Sequence, residues 1–347
     1  MSYLNFWKKI TVLLAIPLLG WTQLASGQVS KVGTSSAQFL KIPVGARSAA
    51  MGGAVMGDVS DLSSMYWNPS ALADINNNQV MIEYADWFVD MRHNYLGIAL
   101  PTSDWGTFGI NVVSLTMGEF EETTFDSPEG TGRTFSAYSL AVGVSYAKYL
   151  LQNFKVGVNL KMVTEKIMNS NSSTFAFDVG TTYRTPFDGI RLGVSVSNVG
   201  NKMNIDGEDL ITTTDLDESG QGNYEPDVKL KTDDFELPMR LQVGLAWDVY
   251  TSDNLRATLT ADGTSPNDDI QSVSVGTEVG LLDDKVMLRA GMPEISRIND
   301  NDRIQKFTAG IGINHQFSNA LKVNFGYAFQ SYRYLNAVNR MSISIDF

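Results

Sequence analysis

The side chains able to do chemistry are few in this 347-residue chain: two histidines, His93 and His315, and no cysteine. Hydrolysis through a covalent intermediate needs a nucleophile, a base and a group that orients the base, and no motif ties a serine to either histidine. His93 follows Arg92 at the mouth of an alternating segment, beside Asn94 and Tyr95. His315 shares parity with Ile311 and Ile313, so it points to an apolar side. Dinucleotide, phosphate-loop and zinc signatures are missing. Asp215-x-Asp217-x-Ser219-Gly220 begins as a calcium loop does, but its twelfth position is Pro226, with Glu225 one place early. The bidentate ligand that closes such a loop is therefore out of place. The expectation is a chain that is not an enzyme and carries no cofactor or metal.

Charge is concentrated instead in one long connection, 201–236. It holds eleven acidic residues (Asp206, Glu208, Asp209, Asp215, Asp217, Glu218, Glu225, Asp227, Asp233, Asp234 and Glu236) against Lys202, Lys229 and Lys231. Long connections in compact proteins are often functional. One reading is a docking loop for a protein, with Tyr224 beside the acidic groups; the other is a solvated loop beside anionic lipopolysaccharide, bridged by divalent cations.

The elements that present this loop are strands. Fourteen segments alternate between apolar and polar residues, near 79–87, 92–100, 105–117, 134–149, 153–166, 174–185, 190–200, 237–249, 254–263, 270–281, 285–292, 305–317, 320–331 and 338–347. In the fourth, Tyr138, Leu140, Val142, Val144 and Tyr146 face one side and Ser139, Ala141, Gly143, Ser145 and Ala147 the other. Short polar turns, such as Pro101-Thr102-Ser103-Asp104 and Ser318-Asn319, alternate with longer connections such as 118–133, 201–236 and 293–304. An even count, near the ~9–11 residues that a tilted strand needs to cross a bilayer, predicts an all-β, fourteen-stranded transmembrane barrel. The alternating run Met341, Ile343, Ile345 and Phe347 reads as a closing strand, with the aromatic Phe347 expected to serve as a barrel-assembly signal. Trp87, Phe88, Trp105, Tyr149, Tyr183, Trp247, Tyr250, Tyr332 and Tyr334 sit near strand ends, where an aromatic girdle lies. A soluble sandwich would want both inner faces apolar, and the second face here is polar.

The beginning of the chain agrees. Lys8 and Lys9 precede the apolar run Ile10–Leu19, and Ala25-Ser26-Gly27 offers a cleavage site, so residues 1–27 read as a cleaved signal peptide. The formal charge of −12 becomes more negative once those lysines are removed, and nucleic acid is not an expected partner. Mean hydropathy of −0.09 resembles that of a soluble protein because a barrel strand is only half apolar.

Residues 28–78 lack strand alternation and read as a compact plug, or hatch, folded into the lumen ahead of the barrel at 79–347. Arg47 is expected to pair there with Asp58 or Asp61. Two motifs stand out, Gly45-Ala-Arg47-Ser-Ala-Ala-Met51-Gly52-Gly53-Ala54 and Trp67-Asn68-Pro69-Ser-Ala-Leu72-Ala73. Together with the barrel they resemble the PorV/PorQ family of Bacteroidota, related in architecture to the fatty-acid channel FadL. The FadL hatch has a similar Asn-Pro-x-x-Leu pattern, matched by Asn68, Pro69 and Leu72.

This resemblance implies an outer-membrane component of the type IX protein secretion system. Its outer loops and rim would bind a translocon barrel, the C-terminal sorting domains of cargo, or a surface anchor protein. The alternative is a FadL-like channel for hydrophobic small molecules. That needs an apolar lumen, and the inward residues are mainly Gly, Ala, Ser, Asn, Lys and Gln. Phe39, Leu40, Met51, Met56, Met65 and Trp67 of the hatch are the residues available to line such a path.

Overall fold

The structure is a computed structural model that describes residues 33–102, 104–214, 226–296, 303–318 and 321–347. The expected signal peptide, hatch residues 28–32, and Asp215, Asp217, Glu218, Tyr224 and Glu225 of the acidic loop lie outside the described residues.

Fourteen antiparallel strands form the wall. They are β1 (Gln79–Asp86), β2 (Arg92–Thr102), β3 (Gly106–Thr116), β4 (Ala137–Leu151), β5 (Phe154–Ile167), β6 (Ser170–Arg184) and β7 (Ile190–Gly200). The second half comprises β8 (Arg240–Thr251), β9 (Leu255–Pro266), β10 (Ser272–Leu281), β11 (Val286–Met292), β12 (Gln305–Ser318), β13 (Leu321–Tyr332) and β14 (Val338–Asp346). Each pairs with its neighbours in sequence. The sheet closes where β14 returns to β1, in register from Gln79↔Asp346 to Ala85↔Arg340. Closure matters because no water in the hydrocarbon satisfies an open strand edge.

The alternation read from the sequence sets the two faces. Val142, Val144, Leu160, Ile82, Met341 and Ile343 are exposed on the outside, while Ser145, Asn159, Lys161, Thr260 and Arg340 are buried on the inside. This inverts the polarity of a soluble domain, and the exposed apolar belt is what lipid solvates. Phe347 shares the outward parity, and its backbone N–H donates to Asn78 O at 2.8 Å at the short-turn end.

Strand boundaries shift by three or four residues at β4, which starts at Ala137 rather than 134, at β9, which ends at Pro266 rather than 263, and at two strands where the cause is local. β6 starts at Ser170 rather than 174, because Met168 with φ 50° tightens the turn and lets Ile167 pair with Ser170. β8 starts at Arg240 rather than 237, because Pro238 cannot donate to the ladder.

The hatch fills the lumen and contributes much of the buried apolar core, with Leu40, Val44, Met51, Met56, Leu62, Met65 and Leu72 all buried. Only short helical pieces form, α1 (Ala46–Ala50) and α2 (Ser64–Trp67), flanked by the 3-10 turns Gln38–Lys41 and Pro69–Asp74.

The wall admits this plug through inward glycines. A Cβ on Gly193 would stand 1.9 Å from Met56 O, one on Gly157 2.3 Å from the Pro69 carbonyl carbon, and one on Gly291 2.3 Å from Gly52 N. Replacing Gly193 with valine therefore forces the hatch backbone away from β7. The expected outcome is a loss of about 1–3 kcal/mol, typical of overpacking, in urea unfolding followed by gel mobility in lipid vesicles. Ion conductance in planar bilayers rises in the same variant if the Met56 contact seals the lumen.

Candidate functional site

The hatch runs the height of the barrel and is fastened at three levels. At the long-loop end, Asp268 accepts hydrogen bonds from Lys41 Nζ at 2.8 Å, from Gln38 Nε2 at 3.0 Å and from the Ser35 hydroxyl. Partial burial raises the Asp268 carboxyl, but these donors outweigh it and hold the group below the usual aspartate range. The backbone N–H of Ser36 donates to Glu236 O at 2.9 Å, and that of Ala37 to Glu165 Oε2 at 3.0 Å.

At mid-height, Gly45 precedes α1 with φ 93°, a conformation that glycine adopts without strain. The turn aims Arg47 at the wall. Its Nε donates to Glu278 Oε2 at 2.9 Å and its Nη2 to Asp58 Oδ2 at 2.7 Å. Arg289 and Arg256 reach the same Glu278 at 2.7 and 2.8 Å. Burial works against the charge on Arg47, yet Glu278 and Asp58 raise its pKa.

Asp58 was an expected partner of Arg47; Asp61 is not one. Asp61 Oδ1 instead accepts from Ser63 N at 2.9 Å, at the start of α2. A second wall carboxylate, Asp262, accepts from the backbone N–H groups of Val55 and Met56 at 2.6 and 2.8 Å. Hatch backbone without a secondary-structure partner thereby gains one.

At the short-turn end, Asn68 ties the second motif together. Its Oδ1 accepts from Ser70 N at 3.2 Å, and its Nδ2 donates to Met56 O and Thr181 O, both at 3.1 Å. Pro69 occupies the first turn that follows, and Leu72 is buried. Trp67 Nε1 donates to Val44 O at 2.7 Å, tying the second motif to the residue that precedes the first. Asp74 pairs with Lys155 and Tyr149. Met51 packs in the plug core, while Gly52 and Gly53, with φ 68° and 75°, bring the chain against Met292, Pro293 and Trp67.

Of the cavities that border this plug, two lie against α1 and its flanks. The outer one, of about 520 Å³, is bordered mainly by apolar groups, including Phe39, Ile42 and Trp67 of the hatch and Trp87, Phe88 and Tyr332 at the wall's end. Tyr332 packs edge to face on both Trp87 and Phe88, with centroids 6.1 and 4.9 Å apart. The inner one, of about 290 Å³, is polar and bordered by Arg47, Asp61, Arg256, Glu278 and Arg289.

Trp87, Phe88 and Tyr332, expected to mark a girdle, line this outer cavity, or vestibule, together with the hatch. Leu40, Met51, Met56 and Met65 are plug core; of the six hatch residues expected to line a path, Phe39 and Trp67 border the vestibule.

The histidines separate as their parity suggests. His315 is exposed on the outer face against Phe317, at 4.4 Å between centroids. His93, fully buried, bonds neither Asn94 nor Tyr95. Its Nδ1 lies 3.2 Å from Arg340 Nη1, which also donates to Glu83. An arginine only donates, so Nδ1 accepts and the imidazole proton sits on Nε2.

In the acidic loop, Asp206 pairs with Lys229, and Asp209 accepts from Asn169 N at 2.9 Å and from Ser170 Oγ at 3.0 Å. These bonds fold the loop's base onto the end of β6, and Glu208 lies in the 3-10 turn between them. Among the described residues, no group of three His, Cys, Asp or Glu has metal-binding geometry.

Glu278, Asp262, Arg240 and Arg340 were missed as individual residues. Their signal was present: a charge at inward parity in a membrane strand demands a partner.

No family model matches the chain, and no curated protein does. Solved structures do. The toluene transporter TodX of Pseudomonas putida superposes with a TM-score of 0.55 at 13% identity, over 87% of this chain and 96% of its own. CymD, a monoaromatic hydrocarbon channel, gives 0.57 at 14%, over 88% and 98%. A FadL homologue of Pseudomonas aeruginosa gives 0.51 at 12%, over 88% and 98%. At these identities the likeness is one of fold: the chain is an outer-membrane barrel of FadL-like architecture with a luminal hatch.

Two outcomes test the fastening. Glu278→Gln leaves three guanidinium groups around a neutral amide, and breaking a buried pair in this way costs about 3–5 kcal/mol, read as a lower urea midpoint in lipid vesicles. Asp268 has a depressed folded pKa, so its contribution is complete above the unfolded value of about 3.9 and is lost as pH falls through the folded value. Hydrogen-exchange protection at Ser36 and Ala37 should therefore drop below about pH 4, and Asp268→Asn should remove that acid step.

Proposed function

We propose that this barrel binds hydrophobic small molecules in its outer vestibule and admits them across the outer membrane. The observation that carries the reading is the vestibule itself, a cavity of about 520 Å³ bordered by Phe39, Trp67, Trp87, Phe88 and Tyr332. That volume falls within the roughly 300–1,000 Å³ of small-molecule sites. Its position, above a plug with a polar cavity of about 290 Å³ beneath, gives a captured molecule a place to wait on the outer side. The architecture is shared with proteins described as a toluene transporter and a monoaromatic hydrocarbon channel.

Passage requires the hatch to shift. α1 and its flanks lie between the cavities, with Arg47 on the inner side and Gly52, Gly53 and Trp67 on the outer. The Arg47–Glu278 contacts are thus the barrier that a transported molecule must relieve.

A second reading is favoured by a different observation. The ladders joining β2, β3 and β4 run without a break, from Pro101↔Thr107 to Arg92↔Thr116 and from Thr107↔Ala147 to Thr116↔Tyr138. A wall with no gap there, around a tightly fastened plug, suits a protein held in the membrane as a docking surface. The type IX secretion role implied by the hatch motifs is of that kind, with a translocon barrel, cargo sorting domains or a surface anchor protein as partner. Asp206, Glu208 and Asp209 would stand at the rim it presents, beside outer-leaflet lipopolysaccharide.

Purification from the native outer membrane in mild detergent separates the two readings, with mass spectrometry of both retained proteins and organic extract. A lone barrel carrying an apolar molecule supports uptake. Recovery of a very large barrel, or of proteins sharing a C-terminal sorting domain, overturns uptake and establishes the secretion role. In lipid nanodiscs, Phe88→Ala with Tyr332→Ala should weaken binding of naphthalene about ten-fold, corresponding to ~1.4 kcal/mol, followed by tryptophan fluorescence.

A further inference from the structure

Three guanidinium groups converge on Glu278, and their remaining bonds differ. Arg47 uses all three of its nitrogens, on Glu278 and on the side chain and backbone of Asp58. Arg256 does the same, on Asp284, Thr258 and Glu278. Arg289 bonds through Nε alone, to Glu278 Oε2 at 2.7 Å. Its side chain is only 6% exposed, yet among the described residues neither of its Nη atoms has an acceptor. Arg47 and Arg256 each have a second carboxylate. Arg289 has only its share of Glu278, whose two oxygens already take the other two arginines. Idle N–H groups on a buried cation are costly, because a low dielectric strengthens every bond that is made and every one that is missed.

These groups lie at the inner, polar cavity of about 290 Å³. A Cβ on Gly312 would stand 2.6 and 2.8 Å from the two Nη atoms of Arg289, so the guanidinium rests on the bare backbone of β12. Gly312 pairs with Gly326 of β13, which also borders the cavity. Toward the short-turn end the same wall adds Ser342, Asn324 and Lys322. The side chains of Lys322 and Ser342 hold no hydrogen bond or ion pair among the described residues. The carboxylates of the cavity are engaged elsewhere. Asp284 takes Arg256, Asp61 takes Ser63, and Asp346, although opposite Lys322 in register, accepts from Gln79 and Asn324.

We infer that the inner cavity is an oxyanion site, in which a phosphate group is held by Arg289 and Lys322 with the Ser342 hydroxyl as a further donor. A guanidinium edge offers such a group two parallel N–H donors, and an ammonium adds a compact charge. Inward glycines leave the floor of the site open. The anion enters from the periplasmic side, where the short turns lie, and the site is separate from whatever the vestibule takes.

The test is equilibrium dialysis of the full barrel, in nanodiscs of zwitterionic lipid, against radiolabelled inorganic phosphate at pH 8 with ionic strength held by sodium chloride. One saturable phosphate per barrel is expected. Lys322→Gln removes no bond of the fold and should weaken binding about ten-fold, as the loss of one charged hydrogen bond predicts. Arg289→Gln should abolish it, and Ser342→Ala should weaken it less than Lys322→Gln. Displacement by excess glycerol phosphate supports the site with a phosphate ester as its source; no displacement supports it with the free ion. Absence of saturable uptake overturns the inference. So does unchanged affinity in Lys322→Gln, whatever Arg289→Gln does, so that an Arg289→Gln variant that fails to fold leaves the test decisive.

Discussion

A sheet closed in lipid turns its apolar side chains outward, and the inward ones are left polar with no bulk water to satisfy them. That constraint governs the lumen of this protein. Glu278 is the clearest case: it projects from β10 into the interior and takes Arg47 from the hatch with Arg256 and Arg289 from the wall. Asp262 and Asn68 solve the same problem for main-chain groups, one from the wall toward the hatch and the other from the hatch toward the wall. Plug and barrel are thus a single polar network wrapped in an apolar belt. Removing either half would strand charges in a medium that punishes them.

Small residues make the fit possible. Glycines at inward positions let the hatch backbone come within van der Waals contact of the strands, and the contacts at Gly157, Gly193 and Gly291 are with main-chain atoms of the plug. A polar carbonyl of the hatch can therefore lie directly on the wall, where a larger inward side chain would have pushed it into an unsolvated gap.

The sequence was a good guide to the wall and a poor one to the interior. Alternation located all fourteen strands, because period-2 patterning is a local signal that survives without knowledge of partners. The boundary shifts at β6 and β8 came from equally local causes, the tight turn at Met168 and the lost donor at Pro238. The hatch was legible as a segment lacking alternation, and Arg47–Asp58 as a short-range pair. What parity does not supply is the partner across the lumen. Arg47 and Glu278 are separated by 231 positions, and His93 and Arg340 by 247. The vestibule was hidden for a related reason: Trp87 and Phe88 occupy a turn and Tyr332 a strand end, positions where aromatic residues read as an interfacial belt until the fold brings them together.

The path of the hatch also poses a problem of order. Ser35 is fastened at the long-loop rim, Asp74 at the short-turn rim, and β1 begins only five residues beyond Asp74. The segment made first thus ends as a rod inside a hoop made later. Loading the rod into a finished hoop would drag Arg47 and Asp58 past wall charges such as Lys155 and Asp178 before they met their own partners, Glu278 for Arg47 and Arg191 for Asp58. Letting the hoop grow around the rod avoids that passage, with the β1–β14 seam as the last to zip. On this view the hatch acts as a mandrel: it templates the circumference of the wall, and the final strand can dock only once the first has been anchored around it.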